Sequence, residues 1–127
     1  MTRVLLIGLA GALGTLSRYF VSVSAARLIG AGFPYGTLIV NVVGCFLIAL
    51  VSQLAISTTL ISPNLRLILT TGFMGGLTTY SSFNYETTSL FRDRAWANGA
   101  LNVGVTLGAC FVAGMLGFAL ARRVAEP

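Results

Sequence analysis

The chain contains no histidine and no lysine, and its only acids are Glu86, Asp93 and Glu126. Without histidine it lacks the commonest metal ligand and the usual general base near neutral pH. Only 9% of its 127 residues are charged and 56% are hydrophobic, whereas a soluble domain carries about 25% charged residues. So little charge would leave a water-facing surface largely uncovered. The two cysteines, Cys45 and Cys110, lie far apart in apolar stretches. They lack the close spacing of a zinc or redox motif, and the simpler reading of each is a small apolar-facing residue. The net charge is +5, yet the eight arginines form no run. They stand singly or in pairs between apolar stretches, as charges flanking membrane spans do, which argues against a nucleic-acid partner. The apolar stretches hold no nucleophile beside a base and no cluster of metal ligands, so no enzyme site is assembled there.

What the sequence does have is long apolar segments, with a mean hydropathy of +0.90. They predict one all-α integral membrane domain over residues 1–127 with four transmembrane helices, each of about 20 residues, in a lipid bilayer. The spans fall at about residues 4–26, 36–56, 65–91 and 96–121. Gly30, Gly32 and Pro34 mark the first connection, residues 57–64 with Pro63 the second, and Arg92, Asp93 and Arg94 the third. Ser24, Ala25 and Ala26 resemble a signal-cleavage site, but Arg18 interrupts the apolar run before them, and a retained first helix is expected.

The third span is interrupted. Gly72, Gly75 and Gly76 precede a hydroxyl-rich run from Thr78 to Ser82. Glycine loses the most entropy in a helix, and serine and threonine compete for its backbone hydrogen bonds. Thr79 is midway between Arg66 and Arg92, so the weak stretch is expected near the bilayer centre. Irregular backbone at that depth is tolerated only inside protein or beside water, and broken helices there commonly hold ions. A glycine-lined packing surface accounts for the same composition. Composition alone leaves both readings open.

Four spans put both termini on one side, with Arg3, Arg66, Arg122 and Arg123; the other side carries Arg27, Arg92 and Arg94, with Arg18 reaching towards it. Orientation follows an excess of positive charge on one side, and here the excess nearly vanishes. Insertion both ways, and an antiparallel dual-topology homodimer, follow from that count; a single orientation set by other features competes with it. Ala10 with Gly14 and Gly104 with Gly108 have the small-residue spacing that supports close helix packing.

Polar residues within the spans are candidates for a path. Asn98, Asn102, Thr106 and Cys110 recur at steps of four on the last helix, Asn41 stands alone in an apolar run, and Tyr80 and Phe83 share a face. Hydroxyls, amides and aromatic edges solvate an ion without trapping it. Taken singly, each is as readily interhelical glue or packing. Arg18 is within snorkelling reach of an interface. Glu86, about ten residues past the break and so roughly 15 Å along a helix, belongs near the membrane edge, on the surface or at a pore mouth.

The segment from Gly72 to Phe83, GFMGGLTTYSSF, resembles the signature of the small dual-topology fluoride channels, the Fluc or CrcB family. The stretches from Gly11 to Tyr19 and from Gly36 to Gly44 resemble the same family. The resemblance implies a passive fluoride channel in the bacterial inner membrane, built as an antiparallel homodimer with two pores. It implies a structural sodium ion (Na+) at the dimer interface, on the backbone carbonyls of Gly75 and Thr78. It maps the pore onto Asn41, Thr79, Tyr80, Ser81, Phe83, Asn102 and Thr106, with Cys110 continuing the last track, and the vestibule onto Arg18 and Glu86. One departure is Tyr80, where the family usually has phenylalanine. A small multidrug or guanidinium antiporter shares the four-helix layout but needs an embedded carboxylate, and the first span has none. A non-conducting structural subunit is the third reading.

Overall fold

A computed structural model describes residues 1–125; Glu126 and Pro127 lie outside the described residues. Every regular element among them is helical. Helix α1 spans Thr2–Leu28 and α2 spans Tyr35–Ser57. A short α3, Pro63–Leu67, runs into a π-helical stretch, Ile68–Met74, and then a single turn, α4, Gly75–Leu77. After two extended residues α5 runs over Tyr80–Arg92, and α6 over Trp96–Ala125.

Three of these helices, α1, α2 and α6, are long and apolar enough to cross a membrane. Their outward surfaces are apolar too. In α1 only 6% of the most apolar window is buried, and Leu9, Leu13, Leu16 and Phe20 are all exposed. A continuous exposed apolar surface of this kind needs a nonaqueous neighbour, and the chain is read as a membrane protein. Residues 63–92 supply a bent fourth element, whose two parts are too short to cross alone.

The ends differ from the expected ones in instructive ways. Pro63 opens α3 instead of lying in a loop, because the first turn of a helix needs no N–H from proline. Ser62 caps that turn, its Oγ accepting the Leu65 N–H at 3.3 Å. Arg27 and the pair Arg122 and Arg123 lie inside the last turns of α1 and α6. Arginine is a good helix former and suits the negative end of the helix dipole, so the spans continue through it. At 30 residues, about 45 Å long, α6 exceeds the ~30 Å hydrocarbon core.

Helix α6 packs along α2, while α1 packs on the π-helical stretch and α4, and α5 lies on α6. The contact between α1 and the broken element is backbone against backbone. A Cβ at Gly14 would collide with the Phe73 carbonyl oxygen and lie 2.9 Å from the Leu77 nitrogen. A Cβ at Gly76 would collide in return with the Gly11 carbonyl. The Ala10 and Gly14 pair therefore packs within the chain, with Gly72 against the Ala10 methyl, whereas Gly104 and Gly108 face open space.

Candidate functional site

The helix stops between Thr78 and Thr79, within the glycine- and hydroxyl-rich stretch expected to be weak. Thr78 has ψ 155° and Thr79 φ −155°, so both are extended. Local chemistry closes each end. The Thr78 hydroxyl donates back to the Met74 carbonyl at 2.8 Å, terminating α4. Thr79 is the N-cap of α5, its Oγ1 accepting the Ser82 N–H at 3.1 Å. Its hydroxyl also donates to Ser82 Oγ at 3.1 Å and meets Ser81 Oγ at 3.2 Å.

The break is held from across the bundle by Asn41 of α2. Its Oδ1 accepts the Thr79 N–H at 2.7 Å, and its Nδ2 donates to the Thr79 carbonyl at 3.0 Å. Both groups are buried. A buried backbone group without a partner costs about 1–3 kcal/mol, and one amide side chain satisfies two of them. This also answers what a lone asparagine does in an apolar run: it completes the backbone of another helix. One of its two Nδ2 hydrogens remains for a ligand.

The rerouting has a second consequence. In a continuous helix the Thr79 N–H would bond the Gly75 carbonyl, and the Ser82 N–H the Thr78 carbonyl. The first goes instead to Asn41 and the second to Thr79 Oγ1. The carbonyls of Gly75 and Thr78 thereby lose their helical donors, at an exposed glycine and a half-buried threonine.

Beside the break is an open groove of about 270 Å³, lined by Asn41, Cys45, Thr78, Thr79, Tyr80, Phe83, Thr106 and Cys110, among others. Phe83 is buried and forms its wall; Tyr80 is 75% exposed and forms its rim. Their rings are 5.7 Å apart. A step of three turns a helix by about 300°, so the two aromatics touch while pointing to different surroundings.

From this groove a hydrogen-bonded chain runs between α6 and α5. The Thr106 hydroxyl donates to Asn102 Oδ1 at 3.3 Å, Asn102 Nδ2 donates to the Thr87 hydroxyl at 2.8 Å, and Thr87 donates to the Phe83 carbonyl at 2.7 Å. Asn102, Thr106 and Thr87 are all buried. Asn98, expected on the same face, is exposed. Steps of four overshoot a helical turn by about 40° each, so the row drifts off the buried face at that end.

A second groove, of about 310 Å³, opens between the start of α2 and the end of α5. Glu86 lines it, half-buried, with its Oε1 accepting the Thr37 hydroxyl at 2.8 Å. Its Oε2 is buried without a hydrogen-bond partner among the described residues. Glu86 therefore lines a cleft near one end of the bundle and does not sit on the open surface. Arg18 is half-buried on α1 and lines neither groove, so the two expected vestibule residues are not brought together.

Sequence reasoning missed Thr37 and Thr87. Each had a positional signal. Thr37 precedes Asn41 by four, and Thr87 follows Phe83 by four, so each shares a face with a residue already singled out. Neither is distinctive by type, since threonine is common in spans.

The chain is similar to known proteins over nearly its whole length. Residues 5–118 match the family described as CrcB-like protein, Camphor Resistance (CrcB). It is 52% identical over 124 residues to a fluoride-specific ion channel FluC of Sorangium cellulosum, covering 98% of both chains. Fluoride-specific ion channels FluC of Geotalea daltonii and Geobacter metallireducens are 45% and 46% identical over 124 residues, each matching 98% of this chain and all of the relative.

Proposed function

This chain belongs to the CrcB family, and from that premise we propose that it is a fluoride-selective channel that lets fluoride leave a bacterial cell passively across its inner membrane. The observation that carries the reading is the break at Thr78 and Thr79, held by Asn41 beside an open groove of uncharged donors. Fluoride is small and strongly hydrated, so removing its water is the chief barrier. Uncharged donors replace that water stepwise and still release the ion. The remaining Asn41 Nδ2 hydrogen, the Ser81 hydroxyl and the ring of Phe83 lie close to the break and offer uncharged contacts to the ion, with Thr79 bonded to Asn41 and Ser81. Tyr80 stands at the rim. Asn102 and Thr106 continue the path along α6, with Thr37 and Glu86 at one mouth. Arg18 acts at most at a distance, through its charge. The membrane potential, negative inside, drives the anion outward.

The working unit in this proposal is an antiparallel homodimer with dual topology. Support comes from what one chain leaves uncovered. Gly75, Tyr80, Ser81 and Asn84 are exposed around the break, and polar groups at membrane depth facing lipid are costly. An inverted copy covers them with its own break. The balanced arginines permit both insertions. The freed carbonyls of Gly75 and Thr78 suit a hard cation that takes oxygen ligands, and both copies together would hold a structural Na+ ion. Such an ion, if bound, would supply positive charge to an interface otherwise rich in carbonyl oxygens.

The test is fluoride efflux from proteoliposomes, read with an ion-selective electrode and no proton gradient. Efflux well above that of protein-free vesicles is expected, with chloride passing far more slowly. Efflux no faster than the empty vesicles sinks the channel reading, and comparable chloride and fluoride currents sink the selectivity.

A further inference from the structure

The groove beside the break contains a side chain that the fluoride path does not use. Cys45 of α2 faces Cys110 of α6 across it, and both line the same space as Asn41, Thr79 and Thr106. Both are free and half-buried, and both border this one groove from adjacent, closely packed helices. Their backbones are held close by helix packing. Gly114, one turn beyond Cys110, would place a Cβ 3.8 Å from the Cys45 carbonyl. No third histidine, cysteine or carboxylate joins them among the described residues.

A pair of sulfurs with no third histidine, cysteine or carboxylate beside it among the described residues is selective. Zinc wants about four ligands, and calcium or magnesium wants oxygen. Soft ions that accept two thiolates in a line fit. We propose that Cys45 and Cys110 form a two-thiolate site for one soft d10 cation, of the class of the mercuric, cuprous or silver ion. With mercuric chloride, two S–H bonds break and two Hg–S bonds form. Two protons pass to water and two chloride ions leave. The metal is not oxidised or reduced. Both residues sit on spanning helices, so the bound ion ties α2 to α6. It also occupies the groove beside Asn41, and that consequence rests on the channel reading above.

The reduced, purified full-length chain in detergent, freed of reductant, is titrated with mercuric chloride while free thiols are counted and the intact mass is measured. One ion per chain is expected to consume both thiols and to survive an equimolar glutathione challenge. Cys45→Ala, Cys45→Ser and Cys110→Ala should each lose the ion to that challenge. Two ions per chain in the parent protein, or equally easy loss from parent and variants, overturns the site. The same samples in liposomes separate the two ideas. With one bound ion, fluoride efflux should fall by about tenfold or more, as for a blocked narrow path, and return on adding a dithiol. A bridged ion without any effect on efflux leaves the site standing and removes the path from this groove. If the protein conducts no fluoride at all, the titration alone still decides the site.

Discussion

The two parts of the broken element, residues 63–77 and residues 80–92, sit end to end and are held in opposite ways. The first is held by shape. Its π-helical stretch and its glycines press backbone onto backbone against α1, with Gly14 and Gly76 as the closest approaches. The second is held by hydrogen bonds. Thr79, Thr87 and Glu86 each bond a polar side chain of α2 or α6. Close packing tolerates no added atom but presents little to an ion. Hydrogen bonding leaves spare lone pairs and protons along a groove. A rigid half set against a polar half is therefore a way to fix a break in place while keeping one wall of it chemically useful.

That contrast can be broken hardest where the two parts meet. Asn41→Leu removes both partners of the Thr79 backbone, at about 1–3 kcal/mol for each buried group left bare. Thermal unfolding in detergent should move down sharply and fluoride efflux should be lost. Unchanged unfolding would mean that Asn41 does not hold the break. Gly14→Val tests the part held by shape. Its methyls would overlap the Phe73 carbonyl, which belongs to a backbone with nowhere to go. Overpacking of this sort costs about 1–3 kcal/mol, so the variant should unfold earlier, and a same-site Gly14→Ala should fall between it and the parent. Tyr80→Phe is the mildest change. The Tyr80 hydroxyl has no hydrogen-bond partner among the described residues. Stability should stay within about 0.5 kcal/mol, and fluoride throughput in liposomes should be equal or higher. A large loss of flux would assign the phenol a direct part in conduction.

Some residues were legible in advance because their oddity is local. The glycines and hydroxyls from Gly72 to Ser82 announce a weak helix wherever they occur, and the break falls within them. Asn41 was conspicuous as the one amide in an apolar run. Its partner was not, because the bond joins residues 38 apart. Thr37 and Thr87 were marked only by their four-residue spacing from Asn41 and Phe83, because a threonine in a span gains meaning from what lies opposite. Asn98 heads the row on α6 but is exposed, since a step of four drifts and packing decides where the buried face ends. Glu86 illustrates the limit of counting residues. Its distance along the helix places it well past the break, but distance along an axis says nothing about which way a side chain turns, and the structure turns it into a cleft.

The sequence by itself determined that this chain is helical and lipid-bound, because charge so scarce and apolar runs so long have no other economical burial. It also determined where the third span fails, because backbone propensity is a property of the residues themselves. The tertiary structure decided how that failure is made tolerable and what it leaves open. Only the crossing of α2 over the break puts Asn41 on the Thr79 backbone, and that contact takes the helical donor of the Gly75 carbonyl, while the local Thr79 cap takes that of Thr78. Hydrogen bonds between distant segments depend on approach and angle, and neither is written in the order of residues along one helix.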